Sequence, residues 1–263
     1  MSFISSLFYT LLYQPIMNIL IAIYQVVPGN DFGIAIIILT IIIRLLLYPV
    51  SAKGVKSQRA LNEIQPEIKR VQEKYKDDKE KQVKEVLDIY KRAEISPFSS
   101  FAPLLIQLPV LISLYRVLWG VQTTEALGAL YSFIPAPEKI SSIFLGIIDL
   151  ADTGFIIETN GESVFLIGNM IIIIGAVAAQ FFQMKMISAK KKKDGKSGKK
   201  EAAQEMAERI QKQMIYFFPF FTFFILLKLP LAIGLYWLVS TLFSIIQQHF
   251  ILKNYEQQSF PRD

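Results

Sequence analysis

A chain of 263 residues that is 52% hydrophobic, with a mean hydropathy of +0.39, carries more apolar surface than a soluble domain of that size can bury. Its formal net charge is +6, and what matters is where those charges sit. No cysteine is present, which excludes disulfides, thiolate metal sites and a lipid-modified cysteine.

Residues 1–30 contain no Lys, Arg, Asp or Glu, so no secretory signal with its positive start is read there. Ser6, Thr10, Gln14, Asn18 and Gln25 fall in one arc of a helical wheel, with Leu7, Leu11, Ile16 and Leu20 elsewhere and Pro15 between. This pattern predicts an amphipathic helix on the outer membrane surface. A sixth span with an inside N-terminus is the other reading, weakened because no basic residue would hold that end inside. Residues 31–50 form the first predicted span, with its best apolar run over 33–50.

Residues 51–98 predict a cytoplasmic helical hairpin. Charges of both signs recur at helical spacings, as in Glu63–Glu67–Arg70–Lys74 and Glu80–Lys84–Asp88–Lys91, and Asp77-Asp78 supplies the turn. Ile64, Ile68, Val71 and Tyr75 make one apolar stripe; Val83, Val86, Leu87 and Tyr90 make another. The region 99–252 then holds four further spans, at about 101–119, 164–186, 213–229 and 231–252. An outside loop, 121–163, separates the second span from the third. A basic inside loop, 187–212, contains the run KKKKDGKSGKK, expected to be disordered, and a short helix around 201–212. A short cytoplasmic tail, 253–263, ends the chain.

Charge segregates between these spans. Segment 51–100 holds twelve Lys/Arg and nine acids, and 183–213 holds ten against four. Segment 121–163 holds Lys139 alone against six acids. Lysine and arginine accumulate on the cytoplasmic side, so the expectation is an all-α membrane protein with five alternating spans and a cytoplasmic C-terminus.

Arg44 stands inside the apolar run IAIIILTIIIRLLLYPV, at a cost of roughly 2.5–3.5 kcal/mol on insertion scales for a central position. Counted back from Tyr48-Pro49 at about 1.5 Å per residue, it lies in the cytoplasmic half, within reach of snorkelling. Thr40, Arg44, Tyr48 and Ser51 would share one helix face. The other spans contribute uncharged polar groups: Gln107, Gln180, Gln183, Ser240, Thr241, Ser244 and Gln247. With no Asp or Glu inside any span, Arg44 lacks a carboxylate partner, and a cleft opening to the cytosol would solvate it. An ion-coupled transporter is disfavoured for the same reason. His249, the lone histidine, reads as an interfacial residue, and no catalytic pair, metal set or phosphate loop is found. No enzyme and no cofactor are expected.

Ordered blocks along the chain resemble the YidC/Oxa/Alb family of membrane protein insertases. Tyr13-Gln14-Pro15 precedes the first span, and LTIIIRLLLYP places Arg44 and Pro49 as in the family's arginine helix. Gln65-Pro66-Glu67-Ile68, Lys76-Asp77-Asp78-Lys79 and Ser96-Pro97-Phe98 are similar to its cytoplasmic hairpin. Pro103 to Pro109 (PLLIQLP) opens the second span, Gln180–Met184 ends the third, and Gly234-Leu235-Tyr236-Trp237 with Ile245-Ile246-Gln247-Gln248 marks the last. Departures are Ser99-Ser100, Leu231-Ala232 and Lys228.

The resemblance implies a bacterial inner-membrane insertase of the short kind, without a large periplasmic domain. Its five helices would enclose a hydrophilic groove open to the cytosol and to lipid. Arg44 would lie in it with Thr40, Gln107, Trp237 and Ser240, supported by Tyr48, Gln180, Gln183, Tyr236, Thr241, Ser244 and Gln247. Implied partners are nascent membrane proteins, membrane lipids, a ribosome and a Sec translocon; no specific nucleic acid and no small-molecule substrate are implied. The main alternative is a small-solute anion channel or transporter using Arg44 as its anion site.

Overall fold

The structure is a computed structural model that describes residues 3–94, 96, 102–120, 128–159, 162–187 and 215–259. The lysine-rich run, the helix expected at 201–212, the exit of the hairpin at 97–101, part of the outside loop (121–127) and the last four residues lie outside the described residues. Helices dominate: α1 (Phe3–Phe8), α2 (Gln14–Val26), α3 (Phe32–Leu46), α4 (Tyr48–Lys74), α5 (Lys79–Arg92), α6 (Ala102–Gly120), α7 (Ile167–Ile187), α8 (Ile215–Leu226) and α9 (Leu231–Ser259). Two compact units divide them, one from 1–47, 104–180 and 220–243, the other from 48–103, 181–219 and 244–263.

In the first unit α1 runs into α2 through a π-helical turn, Tyr9–Tyr13. Pro15 follows directly; it has no N–H for the carbonyl of Leu11, and a widened turn lets the helix continue past that gap. Met17, Leu20 and Ile21 of α2 and Ala35, Ile36 and Leu39 of α3 are fully buried in one core with Leu114 and Val117 of α6 and Ile173 and Ala176 of α7. The polar arc of α2 meets protein rather than water. Asn18 Nδ2 donates to the Ala129 carbonyl (3.0 Å), Asn18 Oδ1 accepts from Tyr131 N (2.6 Å), and Gln25 donates to the Pro135 carbonyl (2.5 Å).

The outside loop carries two short antiparallel hairpins that alternation did not predict. β1 (Ile143–Phe144) pairs with β2 (Ile148–Asp149), and β3 (Ile156–Thr159) with β4 (Glu162–Phe165). Leu145 and Gly146, at φ of 51° and 74°, and Ile147 make the three-residue turn of the first hairpin, and Ile147 N donates to the Phe144 carbonyl (3.2 Å). That hairpin is fastened to α3. Asp31 caps the helix by accepting from Ile34 N (2.9 Å) and also accepts from Leu145 N (2.6 Å), while Phe144 presses on Gly33, where a methyl group would collide. The carbonyls of Asp152 and Leu150 accept from Leu231 N (2.8 Å) and Ala232 N (2.9 Å), satisfying donors that the start of α9 leaves open.

In the second unit α4 and α5 form an antiparallel hairpin. Asp78 caps α5 by accepting from Lys81 N (3.0 Å), and Arg92 reaches across to Glu67 (2.7 Å). Ile68 is buried as its stripe predicts, but on α5 the inward residue is Ile89; Val83 and Leu87 of the expected stripe are exposed. Pro49 sits in the first turn of α4, where no amide is needed.

Length and composition single out Ser5–Val26, Ile167–Met186 and Leu231–Lys253 as helices able to cross a membrane, with α3 and α4 adding one only as a broken pair. The molecule is an all-α membrane protein. On α8, Phe223 packs against the first unit's core, whereas Phe220, Phe221 and Phe224 are exposed.

Candidate functional site

Arg44 occupies the last turn of α3, where a cation meets the partial negative charge of the helix end. The helix stops two residues later. Leu47 leaves it at ψ −1°, and the chain restarts as α4 at Tyr48. The polar face expected to run from Thr40 to Ser51 is therefore interrupted, with Thr40 and Arg44 on one helix and Tyr48 and Ser51 on the next.

Three uncharged side chains surround the guanidinium. Arg44 Nε donates to Ser240 Oγ (2.8 Å), and Nη2 donates to Gln107 Oε1 (3.0 Å) and also to Ser240 Oγ. Gln107 Nε2 in turn donates to the Tyr236 hydroxyl. Ser240 and Tyr236, one helical turn apart on α9, are both buried, while Arg44 and Gln107 are half-buried. Among the described residues no carboxylate meets Arg44, and its Nη1 makes no hydrogen bond. A fixed positive charge with unused donors can receive an acidic or strongly polar group.

The remaining candidates separate. Thr40 is buried, and its hydroxyl donates to the Ile36 carbonyl of its own helix (2.6 Å). Trp237 is half-buried against the apolar core. Thr241, Ser244, Gln247 and Gln248 are buried along α9, and Gln247 Nε2 donates to Ser51 Oγ (2.6 Å) and to the Tyr48 carbonyl (3.4 Å) in the second unit. The side chain of Tyr48 is exposed. Gln180 and Gln183 are half-buried on α7, and Gln180 Oε1 has no hydrogen-bond partner.

Two polar residues escaped the sequence reading. Ser113, fully buried on α6, leaves its hydroxyl unpaired, and a serine inside LLIQLPVLISL was its only signal. Arg116 is a second arginine within a predicted span, visible in the sequence as the lone charge of LISLYRVLW.

A helical membrane protein with a half-buried arginine, free of carboxylates among the described residues, at the end of an apolar helix is the class these features define. Residues 22–258 match the model of the family described as 60Kd inner membrane protein, and the chain belongs to that family. A protein of Beijerinckia indica subsp. indica named membrane protein insertase YidC is 33% identical over 246 residues, 91% of this chain and 36% of its own length. Proteins of the same name from Streptomyces avermitilis and Rickettsia rickettsii (strain Sheila Smith) are each 29% identical, over 89% and 85% of this chain and 55% and 36% of their own lengths. The chain thus spans about half the length of these curated relatives or less.

Proposed function

We propose that this protein inserts hydrophobic segments of other proteins into the membrane, with Arg44 receiving the polar flank that must cross. The observation that carries the proposal is the Arg44 cluster: a guanidinium oriented by Ser240 and Gln107, not neutralised, in a member of a family whose curated relatives are named insertases. A client's hydrophobic segment arrives with a short polar or acidic flank. That flank enters a wet groove at Arg44, where the charge lowers its cost below the headgroups. The apolar part then leaves into lipid between the third and fifth spans. Partitioning at about 0.8 kcal/mol per buried CH₂ drives the step, and no nucleotide hydrolysis is required.

The charge pattern supports an orientation with the α4–α5 hairpin and the C-terminus in the cytoplasm of a bacterial inner membrane, and the resemblance extends the partners to a ribosome and a Sec translocon. Reconstituted vesicles and a small client with an acidic translocated tail test the proposal. Arg44→Ala lowers insertion severalfold and Arg44→Lys keeps most of it; equal insertion by all three proteins would refute the charge role.

A further inference from the structure

Arg116 lies four residues before the end of α6 at Gly120, the end that leads to the acidic loop. A basic residue there opposes the charge pattern of the rest of the chain. Nine residues, or about 13 Å along the helix, separate it from Gln107, so it takes no part in the Arg44 cluster. Arg116 is exposed, and among the described residues it makes no ion pair and no hydrogen bond. One face of its guanidinium rests 5.3 Å from the centroid of the Phe8 ring. Around it stand two stacked aromatic pairs. Tyr9 and Tyr13 have centroids 5.3 Å apart, and Tyr115 and Trp119 5.9 Å apart. Tyr9, Tyr115 and Trp119 are all exposed, Trp119 at 61%.

We propose that this patch is a binding site for the headgroup phosphate of an anionic phospholipid. Arg116 stands toward the loop end of α6, where a spanning helix would meet the headgroups. Its guanidinium presents a planar fork of donors that matches two phosphate oxygens, and Phe8 holds that fork from behind by a cation–π contact. The exposed faces of Tyr115 and Trp119 cover glycerol and upper acyl carbons, as aromatic residues do at membrane interfaces. A client's acidic tail would also pair with a guanidinium, but it would leave the exposed rings of Tyr115 and Trp119 uncovered, whereas glycerol and acyl carbons would cover them.

The protein contains two tryptophans, Trp119 and Trp237. In Trp237→Phe the emission of Trp119 alone reports the lipid at the patch, through quenching by phospholipids with brominated acyl chains in vesicles. The expected result is a preference for phosphatidylglycerol over phosphatidylcholine of about fivefold. Arg116→Gln reduces that ratio to near one, and Arg116→Lys retains part of it. Should Arg116→Gln fail to fold, raising the salt of the Trp237→Phe vesicles provides the reading, because a charge-based preference falls as ionic strength rises. A preference absent from Trp237→Phe, unchanged in folded Arg116→Gln, or insensitive to salt overturns the proposal.

Discussion

An arginine at the centre of a membrane span costs roughly 2.5–3.5 kcal/mol, and a hydrogen bond to a charged group contributes about 1.5–3 kcal/mol. Ser240 and Gln107 together offset that cost for Arg44 without cancelling its charge. A carboxylate would offset it too, but would compete with the client. Gln107→Glu separates the two roles: thermal stability in detergent holds or rises, while insertion of an acidic client falls severalfold. Gln107→Leu instead removes the acceptor of Arg44 and the donor to Tyr236, and lowers stability by about 1–3 kcal/mol in chemical denaturation. A different residue governs the pH response of the loop. Asp152 is held above the usual aspartate range, first by burial and then by the neighbouring Asp149 carboxylate. The folded protein thus favours protonated Asp152, a contribution present at acid pH and lost as pH rises through the raised value. Asp152→Asn is therefore more stable than wild type at neutral pH, by no more than about 0.5 kcal/mol. The gain vanishes below the ordinary aspartate range, which melting curves at pH 3.5 and 7.5 measure.

Among elements, the N-terminal helix best shows what periodicity could and could not reveal. The arc of Gln14, Asn18 and Gln25 was legible as polar, and an interfacial helix was its simplest meaning. Its hydrogen-bond partners, the carbonyls of Ala129 and Pro135, were not legible, because they lie more than 100 residues away. Ser5–Val26 is itself long and apolar enough to cross a membrane, and we propose that it lies on the surface. Phe8, Asn18 and Gln25 all meet residues between 116 and 135, although Phe8 and Gln25 are about 25 Å apart along the helix. Since the chain has no cysteine, Ser5→Cys and Val26→Cys each give a single thiol. Impermeant maleimide labels both from the same side of intact cells; labelling from opposite sides makes the helix a span. The hairpin β1–β2 depends on close approach to α3, so Gly33→Ala displaces Phe144 and costs about 1–3 kcal/mol, checked by denaturation.

For the molecule as a whole, charge segregation and long apolar runs suffice to read a polytopic helical protein, and a charge inside an apolar run points to the candidate cluster. Arg44, Gln107 and Ser240 were nameable as polar groups where apolar ones belong, whereas Tyr236 entered through the family resemblance. Helix breaks and pairings were not. Nothing in RLLLYP marks Leu47 rather than Pro49 as the place where α3 stops, since proline in a first turn starts a helix as readily as it ends one. Thr40 shares the face of Arg44 yet spends its hydroxyl on its own backbone, a choice that spacing alone does not reveal. Arg116 went unread because attention to missing carboxylates overlooks a second cation.

The account stands on a polar client flank passing beside the Arg44 cluster. A photoreactive amino acid at Gln107, challenged with ribosome-bound nascent chains of increasing length, tests this most directly. The prediction is a crosslink to the client's polar flank at intermediate lengths that disappears once the hydrophobic segment is released. Crosslinks to lipid alone at every length, with insertion proceeding normally, would contradict it.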